Sequence, residues 1–446
     1  MTICYVRKAD AQNLIHYQGK DYFINGANIA WNQFGSDVGT HYQWGALYNA
    51  SFFENTFVSC ENFGLNCLRL WIHCDGRSSP EFDGTGSVTG LDTNFFSNLD
   101  DIFLRARNHN IMLIPCLWSF DMTKNVSGAG IYAGSHQLLI TDTVKTRSYI
   151  NNALIPMVQR YANQCNLLAW EIINEPEGSI DVAAAYGNNN LVTKLQMQRF
   201  VAVQAAAIHQ YSAKMVTVGS ASLKWNSDIS GAAGNYWKDS QLQAVYNDPN
   251  ARLDFYQIHY YDAPHYPAYD PFQNYTLVWG LDKPVLIGET TIHSLHYKTS
   301  DLIYKSYQYN YAGIMFWMFT GDGNGYGFND FRDTLLLNRN AHSFQIDFTG
   351  CNASGFTKTT FDHTAESFYP TVLSEGQNLK FRVEEAGIRN FSVFNAEGVC
   401  IQKWSQYCIP GENLLAMASA RAAVPGLYII YTYTSEKLFS AKFLIR

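Results

Sequence analysis

The sequence predicts an α/β protein: a closed (β/α)8 TIM barrel over residues 1–345, followed by a C-terminal all-β sandwich domain over 346–446. Three observations lead there. From about residue 20 to 320, eight short apolar runs alternate with longer helical patterns, the arithmetic of eight strand–helix units. Several of these runs are continuous rather than alternating, as parallel strands covered on both faces are. From Leu379 onward the chain reads as short strands punctuated by turn residues, with no long helix.

In chain order the strand candidates are YFINGANIAW (22–31), NCLRLWI (66–72), IMLIPCLW (111–118), LLAWEIINE (167–175), MVTVGS (215–220), LDFYQIHYY (253–261), PVLIGE (284–289) and GIMFWMF (313–319). Among the helix candidates, Asn94–Asn108 places Phe95, Phe96, Leu99, Ile102, Phe103 and Ala106 at spacings of three and four. Leu191–Tyr211 carries a similar stripe, and both apolar faces suit packing on the outside of a sheet. A doubly wound open sheet is the competing arrangement, but the glycine-rich dinucleotide fingerprint is missing after the first run. GDGNGYG (321–327) opens no evident helix and reads as a loop. In the tail, LKFRV, RNFSVFN, GLYIIYTY and SAKFLIR are strands separated by turns such as AEG and PG.

Composition narrows the function. Hydrophobic residues make up 47% of the 446, charged residues only 15%, and the net charge is −7. An apolar, weakly charged chain is globular rather than disordered. An acidic balance does not suit a general nucleic-acid binder, which must displace counterions with basic surface. No apolar run reaches the ~18 residues of a membrane span, and MTICYVRKAD lacks the apolar core of a signal peptide. The nine cysteines include no CxxC, so neither a zinc ribbon nor a redox motif is present. Cys116 and Cys165 read as buried free thiols, whereas Cys400 and Cys408 are placed to bridge a hairpin in an oxidising compartment. Asp322, Asn324 and Asp330 offer oxygen ligands without the twelve-residue calcium pattern, and no metal or cofactor is implied.

In such a barrel the active site forms at the carboxyl ends of the strands, so the polar residues there matter most. Glu175 ends WEIINEP, with Pro176 stopping the strand behind it, and Glu289 ends PVLIGET. Strands four and seven face each other across the barrel mouth, so both carboxylates can enter one cleft. Two carboxylates there are what glycosidic cleavage requires: one holds a proton for the leaving oxygen, the other is ionised. A strand-end glutamate alone is commonly a structural partner; two together, with Asn174 adjacent and aromatics at other strand ends, point to catalysis. Trp31, Trp118 and Trp225 stand at or just after strand ends and read as cleft aromatics that would pack on sugar faces; Trp279 reads as core. His73, two residues past Trp71, reads as a substrate contact at the mouth.

Together NEP (174–176), the LRLW of the second run, the HYY of the sixth, the IGE of the seventh and the FW of the eighth resemble glycoside hydrolase family 5 over about 20–320. That resemblance implies a retaining, endo-acting hydrolase of β-linked polysaccharides on a (β/α)8 barrel. RLWIHCDGRSSPEFDGTGSVTGLD, LWSFD and WEIINEPEGS look most like the endo-β-1,4-mannanase branch. It implies Glu175 as acid/base and Glu289 as nucleophile, Arg69 beside the nucleophile and Asn174 on the sugar 2-hydroxyl. Tyr261 would bond the nucleophile, His259 would lie near the acid/base, and Trp317 would form the floor. Many members carry a histidine where Trp118 stands, which bears on substrate choice.

The implied partner is a β-linked polysaccharide or oligosaccharide, attacked by a monomer. An endo-β-1,4-glucanase using the same machinery is the alternative, and a non-catalytic polysaccharide-binding protein a third reading. The tail, with its V-x-N-x-x-G turn, PGLYII and terminal KFLIR, resembles the C-terminal sorting module of the bacterial type IX secretion system. That resemblance implies a secreted or cell-surface protein.

Overall fold

A computed structural model describes residues 13–126, 134–181, 183–184, 186–188, 190–262, 265–349 and 351. It further describes 367–369, 372–373, 379–383, 386–395, 400–415, 426–433 and 438–445. The chain divides into two compact units, Met1–Ala353 and Ser354–Arg446.

In the first unit eight parallel strands close into a barrel: β1 (Ile24–Ala30), β2 (Cys67–Cys74), β3 (Met112–Ser119), β4 (Ala169–Asn174), β5 (Met215–Ser220), β6 (Tyr256–Tyr260), β7 (Val285–Thr291) and β8 (Gly313–Trp317). They pair in chain order, and β8 returns to β1 through Gly313 opposite Ile24. Along β2 the residues alternate. Cys67, Arg69 and Trp71 enter the barrel, while Leu68, Leu70 and Ile72 join the apolar layer under the helices. The barrel floor is apolar, built from Cys67, Met112, Ile114, Ala169, Leu286 and Met315. That packing lifts the polar side chains toward the carboxyl ends.

The predicted helices form where their stripes require. Helix α1 spans Ala50–Asn62, and α2, Phe95–Asn108, buries Leu99, Ile102, Phe103 and Ala106. Helix α3 is Thr143–Tyr149, and α4 is Lys194–Tyr211. The start of α4 falls three residues after the expected Leu191, because Thr193 and Gln196 close a reciprocal capping box. Gly321–Gly327 is a loop, as expected, but it leads into a helix the sequence reading did not see, α5 (Phe328–Ala341); Gly327 donates its N–H to Asp330 Oδ2 at 2.7 Å. The acidic N3 residue, not a hydrophobic stripe, marks this start.

Two cysteine expectations are corrected. Cys165 is not a free thiol but forms a disulfide with Cys351, 186 residues away. Such a pairing depends on where the chain returns after barrel closure. Cys400 and Cys408 begin and end a single strand, so ~26 Å of extended chain separates them and they cannot bridge each other. Cys116 is a buried free thiol, as expected.

The second unit is all-β among its described residues. One sheet holds β9 (Ser367–Tyr369), β11 (Lys380–Val383) and β14 (Gly411–Leu414). The other orders β10 (Val372–Leu373), β16 (Leu438–Ile445), β15 (Gly426–Tyr433), β12 (Gly387–Asn395) and β13 (Cys400–Cys408). Phe381 and Val383 from the first sheet share a core with Phe391, Val393, Tyr428 and Ile430 from the second, as in a sandwich. The AEG turn (396–398) and Pro425 lie outside the described residues, and Gly426 opens β15.

Candidate active site

Glu175 follows the last residue of β4, where Pro176 begins a 3-10 turn. Its backbone is left-handed, φ 43°, a conformation a non-glycine residue holds only when its surroundings enforce it. Here Glu175 N donates to Gly219 O at 2.6 Å and Gly178 N donates to Glu175 O at 2.8 Å. Glu289 lies within β7, opposite His259 in the β6 register. His259 Nδ1 lies 2.9 Å from Glu175 Oε1 and 3.6 Å from Glu289 Oε2. One ligating atom from each of Glu175, His259 and Glu289 lies within 4.8 Å of the others. The same spacing would suit a metal ion, but Arg69 and Tyr261 already donate to Glu289.

A buried polar layer supports the pair from below. Arg69 Nη1 donates to Glu289 Oε1 at 2.6 Å and to Asn28 Oδ1 at 2.8 Å. Its Nε and Nη2 donate to the two oxygens of Glu171 at 2.5 and 2.6 Å, and Nη2 also reaches Asn174 Oδ1 at 2.7 Å. Gln257 Nε2 completes Glu171 at 2.8 Å. The cluster needs space as well as charge: a Cβ on Gly219 would stand 2.4 Å from Glu171 Oε1, so only glycine fits there. Tyr261 reaches in from an exposed position and donates its hydroxyl to Glu289 Oε2 at 2.7 Å.

Protonation follows from these partners. Burial pushes the Glu175 carboxyl up to about 7 against the pull of Arg69 and the Tyr186 hydroxyl. Burial also raises Glu289, opposed by His259, Arg69 and the Tyr261 hydroxyl. Burial lowers His259 to about 4, leaving a neutral imidazole between the two acids. Arg69 is therefore the cation in direct contact with the pair, and it touches Glu289. Burial works against its charge, but Glu171 above all keeps it protonated.

Residues 24–323 match the cellulase family model, glycosyl hydrolase family 5. The chain belongs to glycosyl hydrolase family 5. It is 33% identical over 337 residues to a mannan endo-1,4-beta-mannosidase of Mytilus edulis, covering 71% of this chain and 89% of that one. A mannan endo-1,4-beta-mannosidase of Cryptopygus antarcticus is 31% identical over 338 residues, covering 71% and 85%. The X-ray structure of the Mytilus edulis beta-mannanase superposes with a TM-score of 0.65 at 30% identity, over 74% of this chain and 95% of that one. The beta-1,4-mannanase of the sea hare Aplysia kurodai gives 0.66 at 26% identity, over 76% and 98%.

In this family 5 hydrolase the structure gathers Arg69, Asn174, Glu175, His259, Tyr261 and Glu289 into one constellation. Trp317 and Trp31 stand at the mouth in an aromatic group with Trp71 and Phe34, centroids 4.9–5.7 Å apart from Trp31. Three expectations are corrected. His73 is fully buried under the helices, its ring 5.8 Å from Phe95 and 5.6 Å from Tyr149. The β2–β3 register breaks between Trp71 and Cys74, and Cys74 adopts φ 55°. This bulge reverses the alternation, so His73 turns outward instead of following Trp71 into the mouth. Trp118 is fully buried in the same layer, 4.9 Å from His73 and 5.2 Å from Tyr149, as core rather than cleft. Trp225, on the loop after β5, is 9% exposed and packs in the helix-side core under Lys224. None of its described contacts reaches the glutamates.

Sequence reasoning missed Glu171, Gln257 and Tyr186 as site residues. Glu171 did leave a signal: a carboxylate inside an otherwise apolar strand must find a buried partner.

Proposed function

We propose that this chain is a retaining, endo-acting β-1,4-mannan hydrolase with Glu175 as acid/base and Glu289 as nucleophile. The observation that carries this is the convergence of the two carboxyl groups, one oxygen of each within 4.8 Å of the other, on opposite sides of a charged floor. Direct attack requires carboxyls ~5–5.5 Å apart; room for an intervening water requires ~6.5–9.5 Å, and the short spacing favours the covalent route.

The two roles follow from the partners. Glu289 accepts from a permanent cation and a phenol, which favour its ionised form, the one needed for attack on the anomeric carbon, against the burial that raises it. Glu175 has neutral partners and a carboxyl raised to about 7, so it carries the proton for the leaving oxygen. After the glycosyl–Glu289 ester forms, the deprotonated Glu175 takes a proton from water as that water releases the sugar. Asn174, fixed by Arg69, is placed for the sugar 2-hydroxyl, and Trp317 with Trp31 for the sugar's apolar face.

Mannan as substrate is supported by the relatives, whose names specify mannan endo-1,4-beta-mannosidase activity. Incubation with soluble mannan and with carboxymethyl cellulose, followed by reducing-end measurement, tests it. Faster release from cellulose would favour the glucanase alternative, and release from neither would favour a binding protein.

Secretion is supported by the Cys165–Cys351 disulfide, which suits an oxidising compartment. The sorting-module reading of the tail is supported by its strand-only pattern and terminal strand Leu438–Ile445. Fractionation of cells expressing chains with and without residues 354–446 tests export. Light scattering tests the monomer.

A further inference from the structure

Residues Thr40–His41 and Gly45–Ala46 pair as a small hairpin on the loop after β1. Its tip exposes two large aromatic side chains, Tyr42 at 68% and Trp44 at 57%. Adjacent exposed aromatics of this size need a reason. The tip is also rigidly held. The Trp44 ring stacks on buried His41 at 3.7 Å and 12°, and Gln43 N donates to His41 Nδ1 at 3.0 Å. Below it, Asp92 Oδ2 accepts from Thr40 N at 2.8 Å, and Asn94 Nδ2 donates to Thr40 Oγ1 at 2.8 Å.

Beside the hairpin lies a cavity of ≈ 670 Å³ lined by His41, Tyr42, Arg77, Glu81, Phe82 and Asp92 among others. These residues come from the loops after β1 and β2, on the same face of the barrel as the glutamates. The cavity connects to the mouth through side chains in contact. Arg77, fixed by Asp75 at 2.6 Å, holds its guanidinium 4.7 Å over the Phe34 ring. Phe34 meets Trp31 edge-on at 4.9 Å, and Trp31 meets Trp317 at 5.7 Å. Trp31, Phe34 and Trp317 are each partly exposed.

We propose that the hairpin tip and this cavity form a remote sugar subsite, binding units of the same β-linked chain that lie beyond those held at the glutamates. The mixture suits a neutral polyol: aromatic planes for the C–H faces of a sugar, with carboxylates and a guanidinium for its hydroxyls. Because the platform is already ordered, occupying it loses little conformational entropy. The assignment rests on the mannanase reading above.

The test uses the full chain and the variants Tyr42→Ala, Trp44→Ala and Trp44→Phe. Cleavage is measured on soluble mannan, mannohexaose and mannotriose; calorimetry measures binding of the two oligosaccharides in a Glu289→Ala background. The expected result is about tenfold weaker binding of mannohexaose on losing one aromatic anchor, with mannotriose unchanged and Trp44→Phe near wild type. Unchanged binding and cleavage at every length overturns the subsite while leaving the mannanase reading intact. Equal losses at every length also overturn it, since the hairpin then acts on the fold or the catalytic centre. A parent enzyme that cleaves no mannan removes the underlying reading, and the mannan subsite with it.

Discussion

Arg69 grips Glu171 at two points, Nε to Oε2 at 2.5 Å and Nη2 to Oε1 at 2.6 Å, with both side chains sealed from solvent. That leaves Nη1 aimed at Glu289. The ion pair fixes the guanidinium, and the guanidinium fixes the second carboxylate of the cleft. Glu171→Gln removes the charge that balances Arg69. Breaking a buried pair on one side costs about 3–5 kcal/mol, so chemical denaturation should show a loss of that order. The kcat should fall as well, because Arg69 is freed to move from Glu289.

The pH dependence follows from Glu175. Its carboxyl is raised to about 7, so the acid is protonated below that value and loses its proton as pH rises through it. The kcat/KM of the free enzyme should therefore decline on the alkaline side with a midpoint near 7. Tyr186 hydrogen-bonds Glu175 and lowers it, so Tyr186→Phe should move that limb to higher pH. A limb that stays fixed in this variant would show that another group sets it.

The two glutamates are separable by product stereochemistry. With an activated β-glycoside and azide, Glu289→Ala should give the α-glycosyl azide, because the anion enters from the face the carboxylate occupied. Glu175→Ala should retain ester formation and give the β-azide. On polysaccharide, loss of the general acid should cost ~10²–10⁴ in kcat. Proton NMR of the azides reads the outcome, and identical configurations from both variants would refute the assignment.

Trp118 offers a test of core against cleft. Trp118→Ala should destabilise by about 3–5 kcal/mol, as expected for emptying a buried aromatic site. Trp118→Phe should lower Tm while leaving KM for manno-oligosaccharides unchanged. A raised KM with unchanged Tm would return this residue to the substrate.

The Cys165–Cys351 bond closes a 186-residue separation across the barrel unit. Cys351→Ser should cost about 2–4 kcal/mol, and dithiothreitol should lower the Tm of the parent but not of the variant. Equal sensitivity of both to reductant would place the effect elsewhere.

The sequence by itself determined the strands and their order, because apolar runs and three-to-four spacings are local signals. It also put Glu175 at the end of its strand and Glu289 near the end of β7, which runs on to Thr291, since a proline stop and the end of an apolar run can be read directly. Only the tertiary structure decided what each side chain meets. Parity along β2 put His73 in the mouth, but one extra residue between Trp71 and Cys74 turned it into the helix layer. Arg69 was expected beside Glu289 alone, yet its principal partner lies 102 residues along the chain on another strand. Cys165 looked like an apolar neighbour until barrel closure brought Cys351 beside it. Bulges, long-range ion pairs and disulfides depend on which segments fold back together, and that information is shared among distant residues rather than written in any one stretch.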